Sequence, residues 1–293
     1  MLHERRIGAA RVGNVTEMIA PTHDPARVFA DLPRPAFDAA MAVLGPAQYC
    51  ARLDRLVIGI QLWLLDLGDA MVVIDTGVGN GKPRGLPRFD RLNTQTPLWL
   101  AAFGATPERV THVVNTHLHG DHVGGNTIAG PAGWQPAFPR AEYWFPARDL
   151  AYFRALHAET GGVGETEAMT DGVLPLLESG RWRSYGDGDA ILPGLVARDA
   201  RGHTPGQMAL WLDSDGASGV FCADIFHSPL QILHPQLNTP FCIEPDQARA
   251  TRARFLQQVA DSGTLIMPCH FGAPHCGYVG RDGAGYRFVP ERR

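Results

Sequence analysis

The chain has 293 residues, 45% hydrophobic and 19% charged, so it can bury a large core without disulfide or metal staples. Its net charge of −4 gives no basic excess that would favour nucleic acid or an anionic membrane as a partner. The N-terminus has no apolar signal-like run, no segment is long enough to span a membrane, and five scattered cysteines form no CxxC pair, so we expect a cytoplasmic protein with reduced thiols.

The first half of the chain predicts an N-terminal extension followed by a hairpin. Residues 1–50 are expected to be a lead-in with one short helix around 35–44. The run LVIGIQLWLLDLGDAMVVIDTG has two apolar stretches around Gly68-Asp69, which predicts two paired strands. Residues 79–97 are rich in glycine, proline and arginine and predict a loop. A helix near 98–103 and a buried strand within 107–116 should follow.

The second half alternates helices and strands. Helices are predicted at 146–158 and 245–260, each beginning with a proline in its first turn. Residues 160–190 are expected to form an irregular cap. Strands are predicted in LVARDA, QMALWLD, GVFCAD and TLIMPCH. Since no composition change marks a linker, we predict one domain over 1–293.

The strongest chemical signal is the string His117-Leu118-His119-Gly120-Asp121-His122, which follows the predicted strand of 107–116. Imidazole and carboxylate together suit zinc and other borderline divalent ions. The i, i+2 spacing of His117 and His119 cannot place both rings on one helix face, but a loop at a strand end can turn both inward. Asp121 and His122 point in different directions and could serve a second ion. The string therefore predicts a metal site.

Three later residues stand at the ends of predicted strands or turns. His203 lies in the turn-like string ARGHTPGQ, Asp224 ends GVFCAD, and His270 ends TLIMPCH. Each residue in isolation would more often be structural, since an aspartate at a strand end usually caps a turn. Three such residues converging on one edge of the sheets favour ligation.

The combination of HxHxDH, GHTPG, a strand-terminal aspartate and a strand-terminal histidine resembles the metallo-β-lactamase superfamily. The resemblance implies an α/β fold, the four-layer αβ/βα sandwich, with metals at one sheet edge. It also implies one ion held by His117, His119 and His203, a second held by Asp121, His122 and His270, and Asp224 shared by both. Asp75 in VVIDTG matches an aspartate that orients a ligand histidine.

Two divalent ions of this kind indicate metal-assisted hydrolysis without a serine or cysteine nucleophile. We expect Zn²⁺, with Mn²⁺, Fe²⁺ or Co²⁺ as alternatives. Asp121 and Asp224 are the predicted catalytic carboxylates, and Asp121 is the candidate proton donor to a poor leaving group. Cys222 and Cys269 are expected to pack in the core.

The choice of substrate depends on a narrower resemblance. The string GAGYRFVP, the helix-rich insert and the extended N-terminus resemble the branch that contains methyl parathion hydrolase, lactonases and arylesterases. This implies small lactones or aryl esters, organophosphate triesters as further candidates, and a homodimer. Predicted pocket residues are Trp144, Tyr152, Phe153, Phe226 and His227. Arginines 84, 88 and 91 could meet an anionic substrate, although a solvated surface is the simpler interpretation.

Several alternatives stay open at this point. A true β-lactamase is the main rival, although many zinc β-lactamases lack the carboxylate bridge. Glyoxalase II carries a C-terminal glutathione-binding region, whereas 23 residues follow His270 here. Nuclease members prefer basic surfaces, and oxygen-reducing diiron members have glutamate in place of the second histidine. A non-catalytic metal-binding or ligand-sensing module would be expected to lack ligands, yet all seven positions are filled.

Overall fold

The computed structural model describes residues 1–291. The strands are β1 Leu2–Ile7, β2 Ala10–His23, β3 Tyr49–Cys50, β4 Arg55–Asp66, β5 Met71–Ile74, β6 His112–Val114, β7 Thr127–Gly130, β8 Gly133–Pro136, β9 Glu142–Pro146, β10 Trp182–Tyr185, β11 Ala190–Leu192, β12 Leu195–Asp199, β13 Met208–Ser214, β14 Ala217–Ala223, β15 Leu265–Pro268, β16 Gly277–Asp282 and β17 Gly285–Pro290. The helices are α1 Pro25–Val28, α2 Arg34–Leu44, α3 Thr96–Phe103, α4 Gly120–Val123, α5 Ala147–Thr160, α6 Leu174–Ser179, α7 Leu230–Leu233 and α8 Pro245–Val259. A π-helical turn covers Met169–Val173, and 3-10 turns cover Gly124–Asn126 and Gly164–Thr166.

Two large mixed sheets face each other. The first has the order β1-β2-β4-β5-β6-β9-β10, with β3 on β4, and the second runs from β11 to β17 in sequence order. Strands β5, β6, β9 and β10 are parallel neighbours, as are β14 and β15. A separate two-stranded sheet joins β7 and β8.

The alternation of side chains along β5 shows how the layers are built. Val72 and Ile74 belong to a core cluster that also contains residues of the second sheet, while Met71 and Val73 pack with α3 and α5 on the opposite face. A strand covered on both faces needs an unbroken apolar run, and MVVI provides one. A third cluster places α8 against the second sheet. The layers are therefore helix, sheet, sheet and helix.

The ends of the central strands bring the candidate ligands to one edge. Strand β5 runs into Asp75, and the chain leaving β6 reaches His117 three residues later. Strand β14 ends at Ala223, whose φ of 47° is left-handed, beside a register shift against β15. Bulges of this kind re-aim the next side chain, here Asp224.

Two sequence expectations need correction. Residues 1–50 are more than a lead-in with one helix, because β1 and β2 form a hairpin and β2 pairs with β4 along most of its length. Residues 160–190 contain the π-helical turn, α6 and β10 and are not an irregular cap. Both segments lack clean period-2 or period-3.6 patterns, and tertiary packing orders them. The one-domain interpretation of 1–293 stays a prediction. Within residues 1–291, no helix has the length and apolar character needed to cross a membrane.

Glu17 on β2 anchors this hairpin to the loop that follows β5. Its carboxylate accepts hydrogen bonds from the backbone N–H groups of Val78 (2.7 Å) and Gly79 (3.2 Å). Burial raises the pKa of Glu17 to about 7, although the two backbone bonds oppose that change. The negative charge of Asp121 raises the same pKa further.

Glu17→Gln should make the stability of the metal-free protein less dependent on pH. Because the pKa of Glu17 is about 7 when folded and lower when unfolded, the folded state binds more protons between those values. Wild-type stability should therefore fall, relative to the variant, as pH rises from 5 to 8, by on the order of 3 kcal/mol. Urea unfolding across this range measures the difference. Parallel profiles for the two proteins, with the surface variant Glu4→Gln as control, would contradict the prediction.

Candidate metal centre

The HxHxDH string forms the junction between β6 and a short helix. His117 and His119 lie in the extended approach, and Asp121 and His122 lie on α4. The backbone here is unusually crowded: a Cβ on Gly124 would lie 1.8 Å from the carbonyl oxygen of Val78. The glycine therefore lets the loop after β5 lie directly against the turn that follows α4.

Asp224 lies at the centre of the cluster. Its Oδ2 atom is 2.8 Å from His270 Nε2, 3.2 Å from His203 Nε2 and 3.9 Å from His117 Nε2. Its Oδ1 atom is 3.5 Å from His122 Nε2. His227 Nε2 lies 3.4 Å from the same Oδ2 atom. One carboxylate thus faces five imidazoles that come from four separate stretches of chain.

The other donors form two sets around this carboxylate. Ligand atoms of His117, His119 and His203 lie within 4.8 Å of one another, and so do those of Asp121, His122 and His270. His119 Nδ1 and His203 Nε2 face each other at 2.8 Å. The structure therefore brings together all seven residues predicted from the sequence, and the two sets could each hold one ion.

Outer hydrogen bonds decide which ring nitrogen faces inward. His122 Nδ1 donates to Asp75 Oδ2 (2.8 Å), and His270 Nδ1 donates to the carbonyl oxygen of Gly59 (2.7 Å). Since these acceptors carry no hydrogen, Nδ1 keeps its proton and Nε2 points into the cluster, where it offers a lone pair to a cation when the ring is neutral.

His117 is oriented through a hydroxyl group. Thr116 Oγ1 donates to Asp75 Oδ2 (2.8 Å), so it can only accept from His117 Nδ1 at 3.1 Å. The Nε2 lone pair of His117 is consequently also free. Asp75 accepts from the Thr116 backbone N–H as well (2.8 Å), so this carboxylate orients His122 directly and His117 through Thr116.

Buried polar atoms without partners test whether the cluster suits a cation. In residues 1–291, His117 Nε2, His122 Nε2, His227 Nε2 and Asp224 Oδ1 are buried and lack a hydrogen bond. Buried polar groups are rarely left unpaired, because each costs about 1–3 kcal/mol. Inward lone pairs of nitrogen and oxygen donors fit a divalent cation of the zinc type.

The electrostatics separate the two histidine sets. Burial lowers the pKa of His117 and His203 well below the ordinary value and lowers that of His119 to about 4. Burial also acts to lower the pKa of His122, but the carboxylates of Asp224, Asp75 and Asp121 outweigh it and raise the pKa well above its usual range. His117, His119 and His203 are therefore neutral at pH 7, the form in which imidazole binds metals.

The cluster lies at the base of a cleft of about 480 Å³. One apolar wall comes from Met18 and Ala20 on β2 and from Ile58 and Ile60 on β4. Met18 pairs with Ile60 and Ala20 with Ile58 in the sheet register, so the four side chains form one continuous strip. The interpretation of residues 1–50 as a lead-in left this contribution of the N-terminal strand unpredicted.

The predicted pocket aromatics are placed differently. His227 lines the cleft, as expected, but the other four predicted residues are not among its lining groups. Phe226 and Phe153 are fully buried in two separate core clusters, with the Phe153 ring edge-on to His119 at 5.6 Å. Trp144 and Tyr152 are partly buried against the cores. Aromatic spacing alone could not distinguish core from pocket.

Comparison with known proteins decides the family. The sequence model described as "Metallo-beta-lactamase superfamily" matches residues 58–270. The chain belongs to this superfamily. The predicted fold class is thereby confirmed, and Asp75, His117 and His270 all lie within the matched superfamily region.

Structures of superfamily members extend the likeness to the whole chain. It superposes on "hydrolase AbOPH in beta lactamase superfamily" with a TM-score of 0.84 at 23% identity, covering 100% of this chain and 98% of that one. It superposes on AidC, described as a dizinc quorum-quenching lactonase, with a TM-score of 0.82 at 18% identity and the same coverage. These neighbours agree with the branch predicted from the sequence, and at this identity they show the fold.

One curated relative is similar in sequence over a shorter span. A hydroxyacylglutathione hydrolase of Methylococcus capsulatus (strain ATCC 33009 / NCIMB 11132 / Bath) is 31% identical over 134 residues, 43% of this chain. The match covers 37% of that relative. Its name therefore describes that relative. For this chain the match supports only metal-dependent hydrolysis, as a reaction class common in the superfamily.

Gly124→Ala should destabilise the protein, because the new Cβ would meet the Val78 carbonyl group, which is backbone and cannot rotate away. We expect a loss of about 2 kcal/mol or more in the free energy of unfolding. Gly120→Ala is the matched control in the same motif, since its Cβ would meet Ala168 Cβ at an ordinary 3.4 Å. Chemical denaturation of both variants measures the contrast; equal stabilities would show that the close approach is unimportant.

Proposed function

We propose that the chain is a binuclear metal-dependent hydrolase that cleaves lactone or aryl ester bonds, with organophosphate triesters as further candidate substrates. The observation that carries the proposal is the pair of donor sets that share Asp224 at the base of a small-molecule cleft. Sites with two ions and a shared carboxylate are typical of hydrolytic centres.

Each donor in this proposal has a defined task. His117, His119 and His203 would hold the first ion. Asp121, His122 and His270 would hold the second, and Asp224 would bridge the two. Two such ions would supply Lewis acidity, activating water near neutral pH and stabilising the negative charge that develops on the attacked oxygen.

Protein groups at the cleft would handle the substrate and the proton. Asp121 faces the cleft with a side chain 22% exposed, against 3% for Asp224, so it is the better placed carboxylate to pass a proton to the leaving oxygen. His227 lines the cleft with its Nε2 atom 3.4 Å from Asp224 Oδ2, and its ring is placed to contact a substrate oxygen.

The apolar strip of Met18, Ala20, Ile58 and Ile60 favours a substrate with a hydrocarbon arm. A lactone or ester bearing an acyl or aryl group would place its carbonyl at the donor cluster and its arm along the strip. AidC is described in complex with an N-acyl homoserine product, which makes acylated lactones a reasonable first choice of substrate.

Other hydrolytic functions on this fold remain candidates. The match to a hydroxyacylglutathione hydrolase favours including a thioester of glutathione among the substrates tested. A β-lactam amide and a non-catalytic, ligand-sensing role are the further alternatives. We also propose zinc as the native metal, a homodimer and a cytoplasmic location, which stay predictions.

Removal of metal should abolish hydrolysis. Purified protein would be stripped with a chelator and assayed on γ- and δ-lactones with and without acyl arms, an aryl ester, a phosphotriester, a glutathione thioester and a cephalosporin. We expect saturation kinetics on acylated lactones or aryl esters that return after reloading with Zn²⁺ or Mn²⁺. Activity that survives thorough metal removal, or no turnover of any substrate by the loaded protein, would overturn the proposed function.

Asp224→Ala should reduce the metal content from two ions per chain to one or fewer, because the carboxylate common to both sets is lost. Elemental analysis after gel filtration measures the stoichiometry. Cys222→Ala, two residues earlier and with its side chain in the core, is the control and should keep two ions. A full complement of metal in Asp224→Ala would exclude this residue from the centre.

A further inference from the structure

The helix α5 contributes a fully buried carboxylate that touches both histidine-bearing loops of the first donor set. Asp149, in the first turn of α5, is 0% exposed. Its Oδ2 atom accepts from the Leu118 backbone N–H (3.1 Å) and from Thr204 Oγ1 (2.8 Å). Its Oδ1 atom accepts from the Gly206 backbone N–H (2.5 Å).

In the sequence, these three hydrogen-bond donors are close neighbours of the histidines of the first donor set. Leu118 lies between His117 and His119, and Thr204 directly follows His203. One carboxylate thus joins two loops that are more than eighty residues apart in sequence and that carry all three histidines of one set. The second set has other anchors, because His122 is held by Asp75 and His270 by the carbonyl group of Gly59.

Two further contacts show that the junction is built closely. A Cβ on Gly206 would lie 2.3 Å from the Asp149 nitrogen and 2.8 Å from its Oδ1, so only glycine permits the third hydrogen bond. One helical turn further along α5, Phe153 presents its ring to His119. The same helix face therefore supports the backbone at Leu118 and one of the imidazole rings.

The position of Asp149 is energetically costly. Its described partners are three uncharged donors, and burial raises the pKa of Asp149 to about 6 against the opposing effect of those hydrogen bonds. An apolar residue at a buried helix position would avoid this cost. The aspartate is explained if the three hydrogen bonds of its carboxylate have a function.

We propose that Asp149 is a positioning residue that holds the His117–His119 loop and the His203 loop at the spacing required by the first ion. It acts through the backbone of the ligand loops and touches neither the ion nor the substrate. The inference rests on the metal centre of the proposed function. Within that centre, Asp149 would raise the metal affinity of the first site and leave the second site largely unaffected.

The test measures metal binding. Apo-protein would be titrated with Co²⁺, followed by its visible absorption, and with Zn²⁺ in competition with a chromophoric chelator. Asp149→Asn should lower the affinity of one ion by roughly tenfold to a hundredfold, because the amide NH2 group would face one of the three hydrogen-bond donors that the carboxylate accepts from. The affinity of the other ion should change less than about threefold. The spectral component that weakens should be the one lost in His203→Ala and kept in His270→Ala.

Thr204 supplies a matched pair in case Asp149→Asn does not fold. Thr204→Val keeps the shape and removes the hydroxyl donor, so it should weaken the same ion in the same direction. Thr204→Ser keeps the donor and should bind both ions as the wild type does. Thermal unfolding of the metal-free variants separates positioning from general destabilisation.

The results of this test can be distinguished from a failure of the proposed function. Unchanged affinities in Asp149→Asn or Thr204→Val, an equal loss at both sites, or a wild type that binds no metal would overturn the inference. A protein that binds two ions with the predicted selective loss but hydrolyses no substrate would remove the proposed function and leave the role of Asp149 standing.

Discussion

The close packing of imidazole rings around the Asp224 carboxylate imposes the main constraint on this fold. Five imidazole nitrogens lie within 3.9 Å of its two oxygens, and the outer hydrogen bonds of His122, His117 and His270 turn their Nε2 atoms inward. Burial keeps His117 and His203 neutral, and neutral rings whose lone pairs face the Asp224 oxygens repel them unless positive charge lies between. The fold therefore has to hold these groups together against that repulsion.

Rigid strand ends and close backbone contacts provide that resistance. The left-handed turn at Ala223 aims Asp224 inward, and Gly124 lets two loops lie in direct contact. Buried carboxylates complete the support from behind. Asp75 joins β5 to the HxHxDH string, and Asp149 joins the same string to the His203 loop. The pattern is one of hydrogen-bonded partners outside the ligands that fix ligand orientation.

The substrate side of the centre comes from a different part of the chain. The hairpin of β1 and β2 widens the first sheet, and its pairing with β4 produces the apolar strip beside the metal cluster. Glu17 ties that hairpin to the loop after β5. The donor cluster and the apolar strip of the cleft thus come from separate segments of the chain.

The candidate donors could be predicted from the chain's residues alone, because HxHxDH, GHTPG and the strand-terminal Asp224 and His270 are local strings whose residue types suit metal binding. The apolar runs of β4, β5, β14 and β15 indicated the strands, and the resemblance of the donor strings to the metallo-β-lactamase superfamily implied the sandwich. The contacts of Glu17, Asp149 and Phe153 and the composition of the cleft wall could be seen only in the folded chain. These contacts join residues tens of positions apart, and no local pattern distinguishes a helix carboxylate that joins two loops from one that faces solvent.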